Sequence, residues 1–448
     1  MMIERFMHFM IIYARIMFNP SASGFQILKR DKKTKARLGL LKTAHGTVKT
    51  PAYVFVGTYG RIRHLSPADI KKTGTQLIIA NTFHLWEQIQ RSKFKGQNDN
   101  SKFKSFLTDK LQLNIPTMTD SGGFQVLSLA FDDKNRVGKF MKDGAKKDNS
   151  YQRNKIKIGE KGVHFLFDGK WKFLGPELSM KIQEKIGADI IFAFDHITSP
   201  LDDYEYNKKA VELTDAWARD CLKWKMKNGK WQMLFGIVQG GLFRDLRIKS
   251  ARSIGSMPFD GFGIGGSYTK KQIARILKWV IPHLPEEKPR HLLGVGKVDD
   301  IFEAVENGID VFDCVIPTRE ARHGRLYTRT GHMDIRRGAY TTDKKVIEKG
   351  CGCPACKSGI TRAQIRACFK GQPSNTTSTF ASRGRRHVDV NILGQRYCLM
   401  HNMWFFNNLL ENIRAALSRG SYQRFKKKTL ASFSKQQWRR SYPTRRLR

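Results

Sequence analysis

Along the chain, apolar runs alternate with helical patterns, and several of the runs end on a polar residue or a glycine. Ile115 to Thr119 ends at Asp120, Asp189 to Phe194 at Asp195, Met233 to Val238 at Gln239, Phe262 to Gly265 at Gly266, and His291 to Val295 at Gly296, while Val311 and Phe312 lead into Asp313. Helix signals lie between them. Ser66-Pro67-Ala68-Asp69 reads as an N-cap with proline at the first helical position, Pro176 opens a segment that stops at Gly187, and Val298 to Glu306 stops at Asn307-Gly308. Continuous apolar strands alternating with helices predict a parallel sheet covered on both faces. The closed (β/α)8 TIM barrel fits this rhythm best, and its active site would lie at the C-terminal strand ends, where these polar residues fall. A doubly wound open sheet is the alternative, disfavoured because no GxGxxG follows the first strand.

Two polar regions interrupt the pattern. Asp132 to Lys161 is rich in Lys, Asp and Asn and is expected to be a solvated loop; Pro373 to Asn391 is an insert rich in Ser, Thr and Arg. Phe405, Phe406, Leu409, Leu410, Ile413 and Ala416 then recur at helical spacing up to Gly420, and the residues from Arg424 onward are basic and unpatterned.

Charge narrows the class of partner. The 448 residues carry 81 Lys+Arg against 39 Asp+Glu, a formal net charge of +42, and polyanions are the expected partners. With 40% hydrophobic and 11% aromatic residues the chain is too apolar for a disordered basic protein. The longest apolar run near the start is broken by Arg15, so no transmembrane helix is expected, and Met1 to Phe18 lacks a small-residue cleavage site and reads as an extension.

Three of the seven cysteines crowd into Cys351-Gly352-Cys353-Pro354-Ala355-Cys356. In so large a chain that argues for a metal and a reducing cytoplasm, not for a disulfide framework. Three thiolates and one imidazole from further along make a closed tetrahedral Zn²⁺ site, which leaves no position for substrate and is therefore structural. Cys221, Cys314, Cys368 and Cys398 read as small buried hydrophobes. The expected layout is an N-terminal extension (1–24), a catalytic barrel (25–340), a zinc-binding subdomain with a closing helix (341–420) and a basic tail (421–448).

Aspartate is depleted in strands and costly to bury, so one that follows an apolar run caps the next helix or serves a site. Asp120, Asp195 and Asp313, with Gln239 and the pairs Gly122-Gly123 and Gly265-Gly266, suggest one shared pocket. Two carboxylates facing one substrate can divide a displacement at an acetal-like carbon, one attacking and the other moving the proton. Glycines let backbone amides approach a planar ligand.

Thr119-Asp120-Ser121-Gly122-Gly123-Phe124-Gln125, Phe235-Gly236-Ile237-Val238-Gln239-Gly240-Gly241, Gly294-Val295-Gly296-Lys297, Phe312-Asp313-Cys314-Val315 with Pro317-Thr318-Arg319, and the cysteine cluster strongly resemble tRNA-guanine transglycosylases, also called queuine tRNA-ribosyltransferases, of bacterial type. Ala36-Arg37-Leu38-Gly39, His45-Gly46, Thr50-Pro51, Val56-Gly57-Thr58 and Asn81-Thr82-Phe83-His84-Leu85 extend the likeness, which runs from about Phe25 to Arg419. The resemblance implies a TIM-barrel enzyme with a zinc subdomain, usually a homodimer. It would exchange guanine at the tRNA wobble position for a 7-deazaguanine base, with 7-aminomethyl-7-deazaguanine the expected queuosine precursor. It places Asp313 as the nucleophile and Asp120 as general acid/base. Ser121, Gly122, Gly123, Asp195, Gln239 and Gly266 join Asp120 around the base, with Phe124 stacking on it. Gly294, Val295, Gly296, Lys297, Val298, Asp299 and Asp300, and Thr318, Arg319, Glu320, Ala321 and Arg322, match stretches that contact tRNA.

For the fourth metal ligand the resemblance implies His401, which stands in the same His-Asn-plus-aromatics arrangement and starts the apolar helical segment His401-Asn402-Met403-Trp404-Phe405, in place of His387 in the polar insert. The chain departs from the family in having His196 where bacterial members have Glu, Ser267-Tyr268-Thr269 after the glycine pair, and Leu293 for a common Met. These positions line the part of the pocket that tells one 7-substituent from another, so a different 7-deazaguanine is one alternative. A non-catalytic tRNA-binding partner subunit on the same fold is another, and retention of Asp120 and Asp313 argues against it. An archaeal-type enzyme would want further C-terminal domains, for which the basic residues after the last helix leave no room.

Overall fold

The computed structural model describes residues 24–91, 105–128, 155–228, 231–266, 272–372 and 390–434. The N-terminal extension, most of the 132–161 loop, Ser267-Tyr268-Thr269, the insert with His387 and the end of the basic tail lie outside them. The chain divides into two compact units, one of residues up to Ile62 with Gln76–Cys314, the other of Arg63–Thr75 with the residues from Val315 onward.

In the first unit, β1 (Gly24–Arg30), β2 (Arg37–Thr43) and β3 (Gly46–Thr50) form an antiparallel sheet. β4 (Ala52–Val56), β5 (Ile78–Ala80) and β6 (Thr117–Thr119) open the barrel, and a second antiparallel sheet of β7 (Ile156–Gly159), β8 (Gly162–Phe167) and β9 (Lys170–Leu174) follows. β10 (Ile190–Phe192), β11 (Met233–Val238), β12 (Gly261–Ile264), β13 (Arg290–Leu292) and β14 (Val311–Cys314) complete it, each parallel to its neighbours. β14 pairs in parallel with β4, Asp313 beside Val54, and closes the eight strands. The doubly wound alternative falls with that pairing.

Side chains that point inward from these short strands fill the barrel: Val54, Ile79, Met118, Ile190, Phe192, Phe235, Ile237 and Val311 make one buried cluster, which Leu41 and Val48 of the first sheet join. Residues at the strands' C-terminal ends are thus held at the rim by a packed core beneath them. At the opposite end Arg37 donates to Asp310 from Nε (2.9 Å) and Nη2 (2.5 Å), and the Arg290 amide donates to the same carboxylate (2.8 Å). Asp310 is fully buried and belongs to this structural pair.

The helix starts and stops match their signals. Ser66 caps Pro67–Lys72 in a capping box with Asp69, and Pro176–Ile186 ends at Gly187 with φ of 74°. The loop expected over 132–161 ends sooner, because Ile156 and Ile158 are the inward residues of β7.

The second unit is built on the helix Val390–Ser418, which begins well before His401 because Val390, Ile392 and Leu393 already supply an apolar stripe. The helix Ile316–Arg322 packs against it, and Ala321, Leu326 and Ile335 share a core with Ile347, Cys353, Ile365 and Leu399. The second compact unit thus takes in the residues from Val315, ahead of the boundary expected near residue 340. β15 (Arg325–Thr328) and β16 (Gly331–Asp334) form a hairpin here, and Arg396 holds Asp69 through Nε (2.8 Å) and Nη2 (2.6 Å). The residues from Arg424 onward are expected to be unpatterned; as far as Ser434 they belong to the helix Tyr422–Ser434, anchored by buried Tyr422 and by Phe433 edge-on to His332. Among the described residues no helix is long and apolar enough to cross a membrane.

Candidate active site and metal centre

Asp120 follows β6 and Asp313 is the third residue of β14, so both carboxylates stand at the C-terminal rim. Asp120 is gripped from several directions. Its Oδ1 accepts from the amides of Thr82 (3.0 Å) and Gly122 (3.0 Å), its Oδ2 accepts from Asn81 Nδ2 (2.5 Å), and the Thr82 hydroxyl donates to its main-chain oxygen. The glycine at 122 is needed for that turn, since φ is 83° there. Burial pushes the Asp120 carboxyl up to about 7, and the negative charge of Asp313 adds to the rise; the Thr82, Gly122 and Asn81 donors resist it. Asp120 is therefore divided between its acid and base forms near neutral pH.

Asp313 is anchored through its Oδ1. Its Oδ1 accepts from the Gly294 amide (3.1 Å) and lies 2.8 Å from His291 Nε2. Gly294, expected among tRNA contacts, directs its amide at this carboxylate.

A third acid completes the rim. Asp195 follows β10, its Oδ1 accepts from Ser121 Oγ (2.8 Å), and its Oδ2 accepts from Gln239 Nε2 (2.6 Å). Gln239 is buried, and its Oε1 has no hydrogen-bond partner among the described residues. A buried amide oxygen left without a donor is costly unless a ligand supplies one. Gly265 makes room for this arrangement, because a Cβ there would come within 2.6 Å of Gln239 Nε2. Fully buried Arg247 ties the loops together, donating from Nε to Gly241 O (2.8 Å) and from Nη1 to Val238 O (3.3 Å) and Gly265 O (2.8 Å).

Between Gly123 and Asp195 lies a cavity whose remaining wall comes from Val126, Ile156, Ile158, Val163, Phe194, His196 and Ile197. His196 sits edge-on to Tyr206 and Trp217, and burial pushes its imidazole down to about 4, so it lines the cavity as a neutral group. Phe124 is 37% exposed at the start of the helix Gly123–Ser128, free to lie against a planar ligand. Gly266, with φ of 113°, ends the described part of its loop.

Half of the residues in the two stretches matched to tRNA contacts are buried. Val295, Val298 and Asp300 are inside, which leaves Lys297 as the exposed side chain of the first stretch. In the second, Thr318 and Ala321 are buried and Glu320 pairs with Arg325 (3.0 Å), while Arg319 is exposed. Burial, then the charges of Arg63 and Arg319, lower the Arg322 pKa. Three like charges gathered in this unit make a natural seat for an anion. Arg63 carried no signal of its own in the sequence. Neither did His291, read as the first residue of an apolar run, nor Asn81, which was part of a matched motif without a role.

The metal centre lies in the second unit. Ligand atoms of Cys351, Cys353, Cys356 and His401 all lie within 4.8 Å of one another. His401 Nδ1 is 3.3 Å from Cys353 Sγ and 3.8 Å from the sulfurs of Cys351 and Cys356. Four such donors about a tetrahedral zinc with 2.3 Å bonds to sulfur would be separated by about 3.8 Å, so the set fits that ion. The other ring nitrogen of His401 lies 2.7 Å from Tyr327 O, the partner that orients a ligating imidazole, and Asn402 accepts from Tyr327 N (3.1 Å). All seven cysteines are free, and Cys221, Cys314, Cys368 and Cys398 are buried as expected.

Comparison with known proteins accords with this geometry. The family model for queuine tRNA-ribosyltransferase matches residues 31–435. A queuine tRNA-ribosyltransferase of Clostridium perfringens is 37% identical over 424 residues, covering 92% of this chain and 98% of its own. One from Lachnospira eligens is 36% identical over 419 residues (91% and 97%), and a putative queuine tRNA-ribosyltransferase of Archaeoglobus fulgidus is 37% identical over 418 (88% and 96%). With a closed parallel barrel, acid residues at its rim and a match over nearly its whole length, the chain belongs to the queuine tRNA-ribosyltransferase family.

Proposed function

We propose that this protein exchanges guanine at the wobble position of tRNA for a 7-deazaguanine base, 7-aminomethyl-7-deazaguanine being the expected one, by double displacement with Asp313 as nucleophile and Asp120 as general acid and base. The observation that carries the reading is the difference between the two rim carboxylates: Asp313 is held by donors to one oxygen, while Asp120 is poised at about 7. A carboxylate oxygen of Asp313 attacks ribose C1′, the glycosidic bond breaks, and guanine leaves with a proton from Asp120. Forming the ester removes the Asp313 charge that had helped to raise Asp120, which makes its proton easier to give up. The incoming base then returns a proton to Asp120, its nitrogen attacks C1′, and the Asp313 carboxylate is regenerated. One glycosidic bond replaces another, so no ATP or redox cofactor is required.

In this reading the base lies between Asp195, Gln239 and the amides around Gly122 and Gly266, with Phe124 against its face. Gln239 Oε1 accepts one of its N–H groups. Neutral His196 in the cavity wall gives the 7-substituent a hydrogen-bonding neighbour without a charge. The zinc is structural: Cys351, Cys353, Cys356 and His401 fill its coordination sphere and fasten the cysteine loop to the helix Val390–Ser418. Lys297, Arg319 and Arg322 contact tRNA phosphates. Seven free cysteines and a tRNA substrate fit a cytoplasmic enzyme, and a homodimer is the assembly expected from the resemblance. An exchange assay with radiolabelled guanine and candidate 7-deazaguanines tests this; labelled tRNA that neither gains nor loses guanine would overturn it.

A further inference from the structure

The inside of this barrel is aliphatic and aromatic, and His291 is an exception to that. It sits in the middle of β13, flanked by Gly263 of β12 and Val311 of β14, and is fully buried with its ring edge-on to Phe192, centroids 5.4 Å apart. A histidine here invites the question of what it is for, because an apolar residue would pack as well. Its Nε2 is 2.8 Å from Asp313 Oδ1, and its Nδ1 is buried without a hydrogen-bond partner among the described residues. Only one tautomer makes sense of both facts. With the proton on Nε2 the ring donates to the carboxylate and leaves a bare lone pair at Nδ1. With the proton on Nδ1, an N–H would be stranded in an apolar core while a lone pair faced a carboxylate oxygen.

The geometry points to His291 as a positioning residue for the nucleophile, an inference that rests on the reading of Asp313 given above. Two donors from β13 and the loop that follows it, His291 Nε2 and the Gly294 amide, converge on the same oxygen. A carboxylate held at one oxygen by two donors cannot turn about its last torsion, so its plane is fixed and Oδ2 is aimed at one point in the site. His291 touches no reacting atom. Its effect is on how often the carboxylate presents the attacking oxygen along the line to C1′, which is the kind of contribution that a small misplacement removes.

The experiment measures the single-turnover rate at which the covalent tRNA adduct forms, together with the Kd for tRNA, in His291→Leu, His291→Gln and Asp313→Ala. Gln carries an amide N–H at about the reach of Nε2, whereas Leu fills the space without a donor. The expected result is a fall in rate of about 10- to 100-fold for Leu, with Kd within about two-fold of the wild type, and a recovery of most of that loss by Gln. Should the Leu variant not fold, His291→Asn, too short to reach Oδ1, takes its place with the same expectation. A Leu or Asn variant that forms adduct at the wild-type rate, or a Gln variant as slow as Leu, overturns the inference. Asp313→Ala separates the two levels of the reading: if it still forms adduct the nucleophile itself is misassigned, and if it forms none while His291 proves indifferent only the positioning role is lost.

Discussion

Asn81 offers a direct handle on Asp120, the proposed proton-transfer group. Its Nδ2 donates to Asp120 Oδ2 at 2.5 Å, while its Oδ1 accepts from the His84 amide and caps the helix Thr82–Arg91. Asn81→Ser keeps a capping oxygen and loses the donor that reaches Asp120. A hydrogen bond to a charged group contributes about 1.5 to 3 kcal/mol, and each pKa unit corresponds to about 1.4 kcal/mol, so its loss is worth at least about one unit. The sign follows from what the bond stabilises. It favours the carboxylate, so removing it favours the acid, and Asp120 should rise from about 7 to about 8. The adduct-forming step needs the acid form; its rate should be level at low pH and fall above the Asp120 pKa. Single-turnover adduct formation measured across the range from acid to mildly alkaline should therefore show its downward break near 7 in the wild type and about one unit higher in Asn81→Ser. A break that stays in place, or moves to lower pH, would refute the assignment of Asp120 as the titrating acid.

Asp313→Ala should yield no covalent adduct on denaturing gels with tRNA and a base analogue, whereas the same experiment with the wild type should trap one. Metal analysis of purified His401→Ala should show zinc lost and His387→Ala should retain it; the reverse pattern would move the fourth ligand to the insert. Arg37→Met strips the buried Asp310 of its guanidinium partner and should destabilise the protein by about 3 to 5 kcal/mol in urea unfolding, most of it the penalty of an uncompensated buried charge. Affinity for tRNA should fall with salt at a log-log slope of about one unit per phosphate contact, and duplex RNA without a loop should not turn over.

Much of the barrel was legible because its strands are short, apolar and fully buried, so each one stands out between helix signals, and the polar residue that follows marks the rim. Met233–Val238 is bounded in the structure as it is in the sequence. The antiparallel sheets were not legible. β7 alternates Ile156 and Ile158 with lysine and glycine, inside a stretch whose overall composition reads as solvent-facing loop. The basic helix Tyr422–Ser434 was hidden in the same way, because its few apolar residues, such as Tyr422 and Phe433, stand among lysines. In the site, Asp120, Asp195, Asp313 and Gln239 announced themselves by breaking apolar runs. His291 breaks one too, but at its beginning, where a polar residue passes for the end of a loop. Arg247 and Asn81 act through partners distant in sequence or through a single atom pair, and no local pattern records that.

The closure of the barrel by β14 on β4 sets the order in which this enzyme can come to life. Asp313 sits on the strand that must find Ala52–Val56, and that pairing spans nearly the whole first unit. Contacts of such long sequence separation carry the largest loop-closure entropy and form late. On the proposed mechanism, a chain on the ribosome that has not yet delivered Val311–Cys314 lacks the group that attacks the sugar. Reactivity toward RNA would then arrive with the last barrel strand, when the closed barrel is there to confine it.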